Sequence, residues 1–240
     1  MVKLKSLLLI LCCCFFLSTK SYAMWEGNWL AGVYGGLAER EGDLDVFINH
    51  PLGLSTNYIN AQEDTGFIGG VLGGYQVRCH EWLLGGELNF EWQDLGEDQE
   101  SAFTDARDVG IRTTARYYQN QVAAISGRFG YEVFPNFLPY VRLGVQTSRD
   151  KLVVFGTDTD YDESIDMESL RRVWRLTAGI GAEIPACLLM GLSLRAEYNY
   201  RARAGSINTE ELAIDNQTVV TGSMRPKAHA VLVAFVLNFV

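Results

Sequence analysis

The sequence predicts an all-β fold: an eight-stranded antiparallel transmembrane up-and-down β-barrel, with short turns at one end and long loops at the other. Three observations predict it. Stretches of about ten residues alternate between apolar and polar with a period of two. The connections between them alternate between short and long. Aromatic residues gather at both ends of the apolar stripes.

The first segment, MVKLKSLLLILCCCFFLSTKSYA (1–23), has the marks of a secretory signal. Lys3 and Lys5 give a positive start, Ser6 to Leu17 is a short apolar core, and Ser21 and Ala23 are small residues before the expected cleavage. The apolar run is shorter than the roughly 18–20 residues of a spanning helix. Leu11 before Cys12 argues against a lipoprotein, where a small residue is expected. The expected organisation is a cleaved signal peptide, 1–23, and one barrel domain, 24–240. Cleavage would leave 217 residues and remove Lys3, Lys5 and Lys20, so that 17 basic side chains face 29 acidic ones, a net charge of −12. That acidity argues against nucleic acid as a partner.

The strands follow in order at about 27–38, 66–79, 82–94, 117–132, 138–150, 170–184, 189–203 and 226–239. WLLGGELNFEW sets Trp82, Leu84, Leu88, Phe90 and Trp92 against Leu83, Glu87, Asn89 and Glu91. VWRLTAGIGAEI sets Trp174, Leu176, Ile180 and Ile184 against Arg175, Thr177 and Glu183. MGLSLRAEYNYRARA sets Leu192, Leu194, Tyr198 and Tyr200 against Ser193, Arg195, Glu197 and Arg201. PYVRLGVQTS and HAVLVAFVLNFV alternate in the same way. The connections near 80–81, 133–137 and 185–188 are short, whereas those at about 39–65, 95–116, 151–169 and 204–225 are long and polar. Such one-sided loop lengths are the pattern of outer-membrane barrels.

The aromatics set a vertical scale. Met190 to Tyr200 is ten steps, each about 3.3 Å. At a tilt near 40–45° that is roughly 24 Å, close to the apolar band of about 25 Å. Trp92, Trp174, Tyr198 and Tyr200 fall at the loop end, and Trp82, Tyr131 and Phe239 at the turn end. These are two interfacial girdles. The charged face is therefore the lumen, and it carries Glu87, Glu91, Glu183 and Glu197 with Arg128, Arg142, Arg175, Arg195 and Arg201. An eight-stranded bore is just wide enough for side chains to fill, so a mutually paired charge network is expected. Arg149, Arg172 and Lys227 share parity with the lipid-facing residues at the loop end. They are candidate contacts for lipopolysaccharide phosphates. A secreted lipocalin-like barrel would share the alternation but not the girdles or the one-sided loops.

GGYQ (73–76), LGGELNFEW (84–92), GRFGYE (127–132), LPYVRLGV (138–145) and the last strand resemble the small outer-membrane β-barrel family of the OmpA/OmpX type. The resemblance covers the expected mature chain and implies an outer-membrane protein of a Gram-negative bacterium. It departs at the end, where the family's assembly signal usually closes on an aromatic residue. Here Phe239 is penultimate and Val240 last. The family hosts adhesins, structural proteins and a few enzymes, so fold does not choose among them.

Motifs for chemistry are sparse. His50 and His80 read as surface residues. His229 faces outward with Ser223 near in sequence, the pairing that lipid A deacylases use, but Ser223 lies beyond the expected strand. Asp158, Asp160 and Asp162 resemble the start of a calcium loop, yet Glu163 stands where Gly is needed and Ser169 where Glu is needed. Cys79 and Cys187 lie about half a barrel apart at the turn end, and a bond would need Cα atoms within about 7 Å.

The reading is a non-enzymatic outer-membrane protein with no cofactor or metal, acting through acidic loops in surface interaction or envelope integrity. The expected partners are outer-membrane lipid and lipopolysaccharide, the barrel assembly machinery, and a host or envelope protein. The rival readings are a narrow channel and a lipid A-modifying enzyme. Protease added to intact cells is expected to cut within 151–169 or 204–225; cleavage confined to 133–137 would reverse the orientation.

Overall fold

The computed structural model describes residues 26–49, 55–95, 99–104, 110–158, 164–185, 191–203, 205, 207–212 and 219–239. The expected signal, His50, Cys187 and Val240 lie outside the described residues. The described chain is all-β. Its strands are β1 (Glu26–Asn49), β2 (Ser55–Cys79), β3 (Trp82–Asp94), β4 (Gln99–Thr104), β5 (Gly110–Tyr131) and β6 (Leu138–Asp158). Then come β7 (Ser164–Pro185), β8 (Leu192–Arg201), β9 (Ile207–Leu212), β10 (Val219–Met224) and β11 (Lys227–Phe239).

Eight of these form the wall of a closed antiparallel barrel, in the order β1, β2, β3, β5, β6, β7, β8 and β11. Closure comes from β11 returning to β1, in register from Trp29 opposite Phe239 to Glu41 opposite Lys227. Full closure removes the sheet edges that lipid could not satisfy. Alternation places Trp29, Val33 and Leu37, Leu84, Leu88 and Trp92, and Val231, Val233, Phe235, Leu237 and Phe239 on the exposed outer face. The band they form is the lipid-facing surface of an outer-membrane barrel.

The segments at 39–65, 151–169 and 204–225 are largely hairpins rather than loops. β1 and β2 stay paired out to Asn49 opposite Ser55, leaving 50–54 between them. β6 and β7 stay paired to Thr157 opposite Ser164. β9 and β10 fill much of 204–225, and β4 extends the wall beyond β3. The outward side of the β1 extension is wet, with Asp43 and Asp45 exposed. It therefore lacks the lipid-facing stripe that marks the membrane strands in sequence.

Beyond the membrane band the ring divides. β9, β10, β1 and β2 continue as one sheet, and β4, β5, β6 and β7 as another. At one seam Ser169 Oγ donates to the Asn208 carbonyl at 3.1 Å.

Two backbone features re-aim side chains. The β5–β6 register shifts between Asn120 and Ala123. Gln121 stands there in the left-handed region, at φ 51°, which is uncommon for a residue other than glycine. This bulge turns both Val122 and Gln119 inward. At the closing seam, a Cβ on Gly36 would overlap the Val231 carbonyl oxygen. Only glycine lets β1 and β11 approach there. Gly36→Val is expected to block closure, seen as loss of the fast-migrating folded band in unheated gel electrophoresis while the heated band persists.

Candidate functional site

All nine charged residues expected in the lumen lie on the inner face, and three further ones join them: Arg40, Asp64 and Asp150. Among the described residues the lumen thus holds six arginines and six carboxylates. They sort by height into three tiers of two arginines and two carboxylates each.

At the turn end Arg128 and Arg195 share Glu87 and Glu183. Arg128 Nη1 donates to Glu183 Oε2 at 2.8 Å, Arg195 Nε to the same oxygen at 3.0 Å, and Arg195 Nη1 to Glu87 Oε1 at 2.7 Å. Arg128 Nη2 also donates to Gln76 Oε1 at 2.5 Å, and its guanidinium sits 4.7 Å from the centre of the Tyr140 ring. Glu183, on β7, and Arg195, on β8, are direct cross-strand neighbours.

In the middle tier Arg142 donates to Glu197 Oε1 at 2.5 Å, Asn89 Oδ1 at 2.6 Å and Ser126 Oγ at 2.9 Å. Tyr140 donates its hydroxyl to Glu197 Oε2 at 2.7 Å. Arg201 Nη2 reaches Glu91 at 2.7 Å across the bore, and Tyr34 adds a long contact to Glu91 at 3.4 Å. Gly181 makes room for Tyr140, whose hydroxyl would lie 2.7 Å from a Cβ there. Gly70 does the same for Tyr34.

In the outer tier Arg40 Nη2 binds Asp64 Oδ2 at 2.5 Å and packs 4.4 Å over the Tyr117 ring. Tyr117 donates to Asp150 Oδ2 at 2.5 Å, and Arg175 pairs with the same carboxylate. Ser148 donates to Asp150 Oδ1 at 2.7 Å and accepts from Arg175 Nη1 at 2.7 Å and from Gln119 at 2.9 Å. Leu152 and Met224, beyond this tier, are also buried.

Much of the remaining inner wall is apolar. Leu30, Leu72, Leu232, Ala234 and Val236 form one buried cluster on β1, β2 and β11. Between the two halves a void of about 40 Å³ remains, lined by Tyr34, Asn89, Glu91, Arg142, Glu197 and Arg201. It has room for a few waters and is too small for a sugar.

Arg40 and Asp64 escape a reading that ends the strands at 38 and 66, although each continues the inward parity. Asp150 ends its expected strand, two residues beyond Ser148 on the same parity. Tyr117 escapes for a different reason, because the bulge at 120–121 breaks parity.

Trp82, Trp92, Tyr131, Trp174, Tyr198, Tyr200 and Phe239 are all exposed on the outer face. Trp82 packs on Phe129 and Tyr131, with ring centres 5.1 and 4.7 Å away. Trp29 and Tyr75, 5.0 Å apart, extend that turn-end girdle. Arg149 and Arg172 are exposed and directly opposite each other. Lys227 stands apart from them, its ammonium 2.8 Å from Glu41. That hydrogen bond holds the Glu41 carboxyl below the usual range, whereas a hydrogen bond with Glu39 raises that of Glu63.

His229 Nδ1 lies 2.5 Å from the Tyr198 hydroxyl, while Ser223, within β10, donates to Asn208 Oδ1 at 3.1 Å. The two are bonded to separate partners. Asp158 ends β6, and Asp160 and Asp162 lie outside the described residues, as does the Cys187 half of the cysteine pair.

Residues 9–239 match the family model described as the outer membrane protein β-barrel domain. Among solved structures, the outer membrane protease OmpT of Escherichia coli is similar at 9% identity and TM-score 0.47, covering 93% of this chain and 99% of that one. OprG of Pseudomonas aeruginosa is similar at 13% identity and TM-score 0.36, covering 88% and 96%. Ail, the attachment invasion locus protein of Yersinia pestis, is similar at 12% identity and TM-score 0.31, covering 84% and 97%. Likeness at this level says nothing about activity. Comparison with curated protein sequences finds no match.

Removing one partner of a buried pair costs about 3–5 kcal/mol. Glu87→Ala leaves Arg195 and Arg128 sharing only Glu183, and is expected to lower unfolding stability by about 3 kcal/mol. Glu87→Leu combined with Arg195→Leu restores the balance and should recover most of that loss. Urea titration of the protein refolded in lipid vesicles measures both.

Proposed function

The chain belongs to the outer membrane protein β-barrel domain family, and on that premise we propose that it is a non-conducting, non-enzymatic barrel whose extracellular hairpins serve surface interaction or envelope integrity. The observation that carries this reading is the filled lumen. Three neutral tiers of ion pairs cross the bore, supported by Tyr34, Tyr117 and Tyr140. A continuous water path for a nutrient would need these contacts broken, and each break strands a buried charge.

The separate bonding of His229 and Ser223 favours this reading over a lipid A-modifying enzyme. The outer side of the β1–β2 hairpin supplies the interacting surface in this reading. Glu39 faces Thr65, Glu41 faces Glu63, and Asp43 and Asp45 continue the row. A strip of this sign suits a basic protein surface or bridging divalent cations, so association should weaken with salt.

Planar-bilayer recording tests the closed lumen. The reconstituted protein is expected to give small or no conductance; large, stable, salt-proportional steps would promote the channel reading. A pull-down comparing the full chain with variants lacking the β1–β2 or β9–β10 hairpin tests the surface role. The expected result is loss of captured partner with one deletion while the barrel still folds.

A further inference from the structure

Arg149 and Arg172 stand directly opposite each other across β6 and β7, both on the outward, lipid-facing row. Like charges in that position repel and are destabilising. Two other basic residues of the outer side have carboxylate partners: Lys151, on β6, is held by Glu168 at 2.9 Å and Lys227, at the start of β11, by Glu41 at 2.8 Å. Glu168, in the same outer row of β7, is thereby already engaged. Among the described residues neither Arg149 nor Arg172 has an ion-pair partner within 4.0 Å. The site is thus two adjacent guanidinium forks with no internal counter-charge.

Its surroundings say where the counter-charge comes from. Directly inward along the outer row lie Trp174, 62% exposed, and Leu176, 68% exposed; directly outward lies Leu170, 66% exposed. From Ile184 to Trp174 the outer row of β7 spans ten residue steps. That is roughly 24 Å of height at the tilt of such barrels, so Arg172 sits just past the apolar band. We propose that Arg149 and Arg172 together bind a phosphate of a phosphorylated lipid in the outer leaflet, the lipid A part of lipopolysaccharide. Each fork offers paired N–H donors to phosphate oxygens. Trp174, Leu170 and Leu176 give the acyl chains an apolar wall. A free anion in solution would need no such wall, which commits the site to lipid. The opposite wall carries the acidic row of β1 and β2, so bound lipid A is confined to one side of the barrel.

The test uses the full-length barrel in detergent, titrated with diphosphorylated lipid A, with fully dephosphorylated lipid A, and with inorganic phosphate. The readouts are native mass spectrometry of bound lipid and thermal unfolding. The unmutated protein is expected to retain diphosphorylated lipid A and to be stabilised by it, with little response to the other two probes. Arg149→Gln with Arg172→Gln is expected to bind at least about tenfold more weakly, the scale of losing a charge-assisted contact. Lys227→Gln should bind like the unmutated protein. Folding is checked by heat-modifiable gel mobility, which these exposed substitutions should leave unchanged. Arg149→Lys with Arg172→Lys, which keeps charge but loses the forks, should fall between. Equal lipid A binding by the double Gln variant, or equal stabilisation by inorganic phosphate, overturns the proposal.

Discussion

The narrow bore is the constraint on which the rest of the structure depends. Eight strands enclose a space that side chains alone can fill. Any charge placed there is out of water and must be neutralised by another chain segment. Among the described residues six arginines therefore meet six carboxylates in the bore, and they balance tier by tier rather than only in sum. The tyrosines and glycines follow from the same limit. A ring that crosses the wall needs a missing Cβ beneath it, as Gly181 provides for Tyr140 and Gly70 for Tyr34.

The barrel is also unlike itself from side to side. Within the membrane band the inner wall of β1, β2 and β11 is mostly apolar, between Gln76 toward the turn end and the Arg40–Asp64 pair at the outer end, and that of the other strands is mostly polar. β11 is thus apolar on both faces, lipid on one side and packed core on the other. On the outside the asymmetry is electrostatic. An acidic row follows β1 and β2 just above the band, while a pair of arginines marks β6 and β7 at similar height. Divalent cations are drawn to the acidic side and repelled by the arginine pair, whereas added salt screens both.

Much of this was legible in the sequence because period-two alternation reports which side of a wall a residue faces. The girdle residues and the nine expected luminal charges obey that rule, and their placement follows from counting alone. The hairpin extensions were less legible. Outside the membrane both faces of a strand can be polar, so Glu39 to Asp45 resemble a loop although β1 runs on to Asn49. The bulge at Asn120 and Gln121 was not legible, since nothing in YYQNQVA marks an inserted residue, and the inward turn of Tyr117 does not follow from the parity of Arg128. Lys227 shares parity with Arg149 and Arg172, but parity carries no information about neighbours, and Glu41 lies beside it.

The ion pairs join parts of the chain that are made at very different times. Glu87 waits 108 residues for Arg195 and Glu91 waits 110 for Arg201, and the neutral amide pair of Gln76 and Asn238 lies 162 residues apart. A hairpin entering the bilayer alone would carry its half of each pair unanswered in hydrocarbon. Insertion one hairpin at a time is therefore uphill, and the wall must curl with its polar halves already facing one another before it meets lipid. The lumen acts as a lock on the order of assembly: β8, which brings Arg195, Glu197 and Arg201, completes the pairs that every earlier strand has had to do without.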